Sequence, residues 1–309
     1  MKVTLDLSRL REDGRITAEE YEKLLRLGKQ DTGSLWINIL VGFGVVAVSG
    51  GLTALLPDPY VIMVIGALVF ALGLGLLLKG LEQWSLLAQI CLVLGALMVC
   101  GGIATLGNGS LQSLVIMTAV LAAASLVARS SLLMAGAVLA LAACLGARTG
   151  YLHARYSLAI YEPLLTIIVF SALALAAYQL SKRLKADYER IAITAARTSV
   201  LMVNFGFWIG SLWGDRLIWL GANTDGLPRS PFTVGWALAL LAVGIWGARA
   251  NRRWVVNVAA VFGAIHFYTQ WFELFGANPT SLLLGGVLML LFAFALWSFN
   301  RAQAGRTQA

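Results

Sequence analysis

Long apolar segments separated by short polar connections make up most of this chain. A helix needs about 20 apolar residues to cross the hydrocarbon core of a bilayer, and in lipid its backbone must satisfy its own hydrogen bonds. The alternating pattern of a membrane β-barrel is absent from the sequence. The pattern therefore predicts an all-α, polytopic membrane helix bundle of about ten transmembrane helices, at residues 36–56, 60–78, 84–106, 111–128, 131–147, 163–181, 198–213, 231–248, 254–275 and 281–299.

The basic residues are distributed unevenly over the connections between these segments. If the N-terminus lies in the cytoplasm, ten crossings place 19 of the 23 Lys and Arg residues on the cytoplasmic side and 4 on the other side. Cytoplasmic connections of membrane proteins carry an excess of Lys and Arg. Removing one crossing would exchange the sides of every later connection, so the count predicts ten crossings with both termini in the cytoplasm.

The N-terminal segment, residues 1–34, differs from the rest because it is rich in charge, with seven basic and seven acidic side chains. Thr17 and Glu20 have the spacing of a capping box, which predicts a helix from there to Gly28. A shorter helix is expected to precede it. We expect residues 1–34 to form a cytoplasmic helix-turn-helix tail that docks either on the cytoplasmic face of the bundle or on a protein partner.

The chain thus divides into the tail, a transmembrane domain at residues 35–300 and a short cytoplasmic C-terminal tail at 301–309. A connection at 148–162 separates five predicted spans from the other five, which gives possible halves at residues 36–148 and 163–299. With five spans each, the halves would have opposite orientations, as in the drug/metabolite transporter superfamily. This is a similarity of architecture alone.

Composition excludes a soluble or disordered chain. Apolar residues make up 59% and charged residues 12%, and mean hydropathy is +0.81, whereas soluble domains carry about 25% charged residues. The net charge of +8 arises entirely outside residues 1–34. The basic residues outside 1–34 lie in short connections rather than on one continuous face. Membrane lipid is therefore the expected partner, and nucleic acid is not.

Motifs for chemistry are absent from the sequence. Cys91, Cys100 and Cys144 all lie in apolar spans, and nine residues of helix point Cys91 and Cys100 in opposite directions. His153 has no second ligand at a metal-binding spacing. No phosphate-binding loop, nucleophile elbow or HExxH sequence occurs. We therefore expect no catalytic residue, cofactor or metal, and no enzymatic activity.

Polar residues inside membrane spans are costly and are candidates for function. In the ninth span His266, Gln270 and Glu273 follow one another at i, i+4 and i+7, which places them on one helix face. This face lies in the half of the span that is predicted to be extracytoplasmic.

A second polar stripe lies on the seventh span, where Arg197, Asn204, Ser211 and Asp215 share one face. We hypothesise that the two stripes face each other around a polar cavity open to the extracytoplasmic side. His266 near Glu273 could then carry a proton or hold a small polar solute. The alternative is a hydrogen-bonded buried histidine, an interfacial aromatic belt, and an Arg197 that extends to the cytoplasmic surface.

Several glycines occur in pairs or at small-residue spacings within the spans. Close packing between helices explains such glycines, and bending of the helix is the alternative. The positions are Gly50-Gly51, Gly101-Gly102, Gly285-Gly286 and the GxxxG of Gly206 and Gly210.

The two ends of the chain resemble a known group. Residues 10–24 contain Leu10-x-x-x-Gly14-x-Ile16-Thr17-x-Glu19-Glu20-Tyr21-x-x-Leu24, and residues 267–286 contain the run Phe-Tyr-Thr-Gln-Trp-Phe-Glu followed by Ser-Leu-Leu-Leu-Gly-Gly. Both are similar to bacterial predicted membrane proteins grouped as domain of unknown function 2157. The resemblance implies a multi-span protein of the bacterial inner membrane and carries over no catalytic residue.

The sequence favours a non-enzymatic inner-membrane protein whose tail mediates docking or assembly. The first alternative is a transporter of a small polar or amphipathic solute. It would use a cavity formed by Arg197, Asn204, Ser211, His266, Gln270 and Glu273. A second alternative is a membrane-embedded enzyme that acts on lipid.

Overall fold

A computed structural model describes residues 15–80, 84–152, 155–221 and 226–306. Along these residues ten long α-helices and one β-hairpin follow each other, and every predicted span falls on a helix. The helices are α1 Ala18–Leu55, α2 Pro59–Leu78, α3 Ser85–Leu106, α4 Leu111–Ala128, α5 Ser131–Cys144, α6 Pro163–Ser181, α7 Ala186–Trp213, α8 Arg229–Arg249, α9 Arg253–Phe275 and α10 Pro279–Arg306.

Seven of these helices, α2 to α4 and α6 to α9, are long and apolar enough to cross a membrane. They make the chain a multi-pass membrane protein by length and composition. The apolar parts of the other three are shorter, at Ile39–Leu55, Ser131–Cys144 and Pro279–Ala295. The 14 residues of α5 rise only about 21 Å, which is less than the hydrocarbon core. The count of ten crossings and the cytoplasmic position of both termini stay predictions.

The first helix begins where the capping box was predicted and then continues farther than predicted. The backbone N–H of Glu20 donates to Thr17 Oγ1 over 3.2 Å, and the N–H of Thr17 donates to the Glu20 carboxylate over 2.9 Å. The predicted end at Gly28 is wrong, because α1 runs on to Leu55. A glycine inside a helix costs only about 1 kcal/mol, so long flanking helix can override it. Residues 1–14 lie outside the described residues.

The structure fits the predicted all-α bundle, but a β-hairpin replaces the predicted end of the fifth span. The fifth span was predicted to reach residue 147, but α5 ends at Cys144, and strands β1 Ala147–Leu152 and β2 Arg155–Ile160 pair antiparallel along their length. Gly146 follows the helix with a φ of +87°, a left-handed conformation that ends helices and suits glycine. Tyr151 and Tyr156 are register partners in the two strands, and aromatic residues are enriched in strands.

The seventh helix starts 12 residues earlier than its predicted span, at Ala186. Asp187 and Glu189 lie in its first turn, where acidic side chains interact favourably with the helix dipole. Arg197 is therefore inside a helix rather than in a connection.

The chain forms two compact units, which differ from the predicted halves. The first comprises residues 1–144 and 178–195, and the second comprises 145–177 and 196–309. Side-chain contacts explain why the α6–α7 connection belongs to the first unit. Arg129 forms an ion pair with Asp187 at 2.9 Å, and its guanidinium lies 5.9 Å from the centre of the Tyr188 ring.

Close glycine packing joins α2 and α3 in the first unit. Gly66 and Gly73 lie two turns apart on α2, and Gly95 and Gly102 have the same spacing on α3. A Cβ added to Gly95 would lie 2.5 Å from the carbonyl oxygen of Gly66, and one added to Gly102 would lie 2.8 Å from that of Pro59. Backbone atoms are among the nearest neighbours at both positions, together with the Met63 side chain at Gly102, so a side chain here would prevent the close approach of the two helices.

Glycine packing also occurs in the second unit. A Cβ on Gly206 would lie 3.0 Å from the side chain of Ile167, and one on Gly210 would lie 2.5 Å from the Phe232 ring. The packing prediction is therefore confirmed for the GxxxG pair. It is wrong for Gly50-Gly51, where a Cβ would meet no atom within 4 Å.

Candidate functional site

Asn204 on α7 is buried and both ends of its amide have partners within the protein. Its Nδ2 donates to the carbonyl oxygen of Val200, one turn earlier, over 2.8 Å. Its Oδ1 accepts from Nε1 of Trp236 on α8 over 3.0 Å. The hydrogen bond between α7 and α8 thus uses the acceptor that a solute would need.

Trp236 is the residue that connects the two predicted stripes. Its side chain is only 1% exposed. Its ring also meets the His266 ring edge-on, with centroids 4.9 Å apart and planes at 79°. The indole therefore contacts both Asn204 on α7 and His266 on α9, in the region where the sequence predicted an open cavity.

The C-terminal half of α9 combines one satisfied contact with two unsatisfied atoms. Nε1 of Trp208 donates to Thr269 Oγ1 over 3.0 Å, which joins α7 to α9. His266 Nδ1 and Gln270 Nε2 are buried and have no hydrogen-bond partner among the described residues. Buried polar atoms in proteins are normally paired with protein or water, so these two atoms mark a place where a polar group could bind.

Glu273, the last member of the α9 stripe, forms an ion pair at the end of the helix. Its carboxylate lies 3.2 Å from Nη1 of Arg229 at the start of α8, and both side chains are about half exposed. Exposed ion pairs contribute about 1 kcal/mol or less. Glu273 therefore tethers α8 to α9 at the surface and does not contact His266.

Ser211 and Asp215 serve the local backbone. Ser211 Oγ donates to the carbonyl oxygen of Trp208 in the same helix over 2.8 Å. The buried carboxylate of Asp215 accepts from the backbone N–H of Leu164 over 2.7 Å and from that of Leu217 over 2.8 Å. Asp215 thus fixes the start of α6 against the connection that follows α7.

Glu162 lies beside Asp215 just before α6. Burial raises the pKa of its carboxyl group, and the negative charge of Asp215 raises that pKa further. Hydrogen bonds from the backbone N–H groups of Trp219 and Ile218 oppose the increase. Glu162 is therefore the acid in this connection whose protonation the fold favours.

Arg197 lies at the opposite end of the α7 stripe and is exposed. Its guanidinium carbon lies 5.0 Å from the centre of the Trp254 ring at the start of α9, within cation–π distance. This arrangement is the surface position that the alternative interpretation of Arg197 expected.

A cavity of about 300 Å³ lies between α6, α7, α8 and α9. Among the six predicted site residues, Asn204 alone lines it. The cavity extends toward the α8–α9 connection, whereas the predicted opening lay at the other end of α9, near Glu273. Its wall is almost entirely apolar and consists of Ser171, Ala174, Val200, Val203, Asn204, Phe207, Trp236, Ala239, Leu240, Val243, Trp246, Trp254, Val255, Val258 and Ala259.

The structure therefore brings Asn204 and His266 together through Trp236, and leaves Arg197 and Glu273 at opposite ends. Sequence reasoning missed Trp236 and Trp208. Tryptophan in membrane proteins concentrates at the interfaces, yet both residues lie more than one turn inside their predicted spans. That position was the available signal for a buried, hydrogen-bonded indole.

Among the described residues, no three His, Cys, Asp or Glu side chains lie close enough together to hold a metal ion. His153 lies outside the described residues. Comparison of the chain with protein families, with curated proteins and with solved structures gives no significant match.

Proposed function

We propose that this chain is a non-enzymatic, multi-pass protein of the bacterial inner membrane that acts by binding other membrane components, including a protein partner of residues 1–34. We also propose that it belongs with the proteins grouped as domain of unknown function 2157, from the resemblance at its two ends. Both termini lie in the cytoplasm in this proposal, in agreement with the distribution of basic residues.

The contact of Asn204, Trp236 and His266 is the observation that supports a packed interior. A carrier of polar solutes needs polar side chains that water can reach, and here Asn204 is buried and both ends of its amide are hydrogen-bonded, to Trp236 and to its own helix. Ser211 and Asp215 are likewise bonded to backbone. Polar groups that pair with each other inside a membrane bundle act as packing contacts between helices.

The course of α1 supports an interaction role for the tail. The helix continues from Ala18 in the charged segment into the apolar part at Ile39–Leu55 without a break. The 21 residues from Ala18 to residue 38 rise about 31 Å. A partner bound to this segment would therefore be linked to the membrane span through one continuous helix.

A second candidate function is a carrier for a small polar or amphipathic solute. The unpaired atoms His266 Nδ1 and Gln270 Nε2 favour it, because a solute with one acceptor and one donor could bind both. In that case Trp236 would have to move away from His266 for the solute to pass.

Thiol accessibility in intact cells tests the two candidates. After Cys91, Cys100 and Cys144 are replaced by alanine, single cysteines are placed at Asn204, His266 and Glu273, with Leu288 in the apolar part of α10 as a control. We expect a small membrane-impermeant reagent to label Glu273→Cys and to leave Asn204→Cys, His266→Cys and Leu288→Cys unlabelled.

Labelling of both Asn204→Cys and His266→Cys, with Leu288→Cys unlabelled, would make the carrier the better candidate. Failure of Glu273→Cys to react would contradict the extracytoplasmic position of that end of α9. The same cysteines treated with the reagent in inverted vesicles distinguish the two sides of the membrane.

A further inference from the structure

The cavity between α6, α7, α8 and α9 has the shape of an acyl-chain site. Its volume of about 300 Å³ lies at the lower end of the range for ligand pockets. Trp246, Trp254 and Val243 line it and are also 36 to 51% exposed at the surface of the molecule. The cavity is thus a groove that opens at the surface between these side chains.

The depth of the groove matches one leaflet of a bilayer. Along α8 its lining extends from Trp246 to Trp236, ten residues that rise about 15 Å. The hydrocarbon core of a bilayer is about 30 Å thick. A chain that enters beside Trp246 therefore ends against Trp236 and Asn204, near the middle of the membrane.

Arg197 places a positive charge at the end of the groove near Trp246 and Trp254. Arg197 lies one turn before Val200 and two turns before Asn204 on α7, both of which line the groove. Its guanidinium rests on the ring of Trp254, another lining residue, at 5.0 Å. Among the described residues no carboxylate lies within ion-pair distance of Arg197, so its hydrogen-bond donors can bind an anion.

Tryptophan side chains mark this end as the membrane interface. Trp246 and Trp254 flank the α8–α9 connection, which also carries Arg249 and Arg252. Amphipathic tryptophan rings and basic side chains concentrate at the headgroup level. A charged head beside Arg197 would lie in the polar layer, and the attached chain would lie in hydrocarbon.

We propose that this groove binds a single-chain anionic amphiphile, whose acyl chain fills the cavity and whose carboxylate or phosphate head is held by Arg197. One chain fits the volume better than two. Guanidinium binds both carboxylate and phosphate through two parallel hydrogen bonds, so a free fatty acid and a lysophospholipid with an acidic head are the two sources of this chemistry.

Photo-crosslinking of the purified full chain in lipid nanodiscs tests the proposal. Three probes share a C16 chain with a mid-chain diazirine and differ in the head: a fatty acid, a lysophosphatidic acid and a neutral monoacylglycerol. We expect at least one anionic probe to label the groove-lining peptides of α7, α8 and α9 saturably, with about tenfold higher apparent affinity than the neutral probe. Which anion labels better identifies the source.

Two pairs of variants locate the site. Ala239→Trp fills the groove, whereas Ala242→Trp adds the same bulk to an exposed position of the same helix that does not line the groove. Arg197→Gln removes the charge, and Arg197→Lys keeps it. We expect Ala239→Trp to abolish saturable labelling and Arg197→Gln to weaken it about tenfold. The control variants Ala242→Trp and Arg197→Lys should retain most of the labelling.

Equal labelling by the neutral probe, or labelling of Arg197→Gln at native affinity, would overturn the role of Arg197 and hence the proposal. Saturable labelling that survives in Ala239→Trp would place the chain elsewhere and would also overturn it. The size-exclusion profile of each variant shows whether it is folded. Thiol labelling at positions 204 and 266 decides the proposed function separately, since a lipid groove needs no aqueous cavity.

Discussion

The two units of this molecule combine glycine contacts and aromatic contacts between their helices in different ways. In the first unit, glycines at 66, 73, 95 and 102 let the backbones of α2 and α3 touch. In the second unit, the nearest neighbours of Gly206 and Gly210 are side chains of other helices, and hydrogen bonds such as that from Trp236 to Asn204 also join the helices. This second unit contains the cavity of about 300 Å³.

The difference shows where a ligand can bind. Lipid is as apolar as the helix surfaces, so membrane helices associate through close packing and polar contacts rather than by expelling water. A glycine-packed pair gains this packing along its whole length. A pair held at a few aromatic and polar points keeps unfilled volume between those points, and a membrane can supply an acyl chain to fill it.

The largest expected effect comes from breaking the glycine contact with Gly95→Leu. The added side chain would have to displace the backbone of Gly66 and Phe70, both 2.5 Å from a Cβ at this position. We expect a loss of about 3 kcal/mol or more in stability, seen as a lower yield and unfolding temperature in detergent. Gly101→Leu on the same helix is the control, since its Cβ would meet no atom within 4 Å. Equal loss in both variants would contradict the packing role of Gly95.

A smaller effect is expected from removing the polar contact in the second unit. Trp236→Phe leaves Asn204 Oδ1 buried without its donor, which should cost about 1 to 2 kcal/mol. Trp246→Phe, at a residue that is 51% exposed, should cost less. Thermal unfolding measures both.

The double variant Trp236→Phe with Asn204→Leu sharpens this prediction. It removes the acceptor together with the donor, so we expect it to be more stable than Trp236→Phe alone. If the double variant loses the sum of the two single losses, the hydrogen bond contributes nothing and the indole acts only by its volume.

The smallest effect concerns pH and the connection before α6. Because the pKa of Glu162 is raised in the folded protein, its stabilising contribution is complete below the ordinary value near 4.5. That contribution is lost as pH rises through the folded-state pKa. Glu162→Gln cannot titrate, so we expect it to raise stability at pH 7 by less than about 1 kcal/mol and to give no gain at pH 4.

Unfolding temperatures between pH 4 and pH 7 measure this difference. Glu189→Gln, which removes an exposed acid in the first turn of α7, controls for the loss of one negative charge. A Glu162→Gln variant that gains stability equally at both pH values would show that the negative charge of Glu162, through its burial and its repulsion by Asp215, is not the cause.

The helices were predictable because each apolar segment satisfies its own backbone. The ends of the helices were less predictable from the sequence. Helix α1 passes through Gly28, α5 ends at Cys144 before a hairpin, and α7 begins at Ala186. Such limits depend on small local differences in free energy, of the order of the 1 kcal/mol that a glycine costs. Apolar length alone does not contain that information.

The candidate site was predictable only in part. Spacing placed Asn204 and Arg197 on one face of α7, and the structure puts the first in the groove and the second at its end. Spacing could not show that Trp236 contacts both Asn204 and His266, because these contacts join residues on three different helices. The side to which the groove opens depends on the same packing.

The sequence by itself determined that this protein belongs in a membrane, which segments become helices and which polar residues share a helix face. These properties follow from hydrophobicity and from the 3.6-residue period, which act within each segment. Only the tertiary structure decided that α2 and α3 touch through their backbones while α7, α8 and α9 enclose a groove beside Arg197. Contacts between segments depend on side-chain shapes that meet across helices, and no single segment encodes that fit.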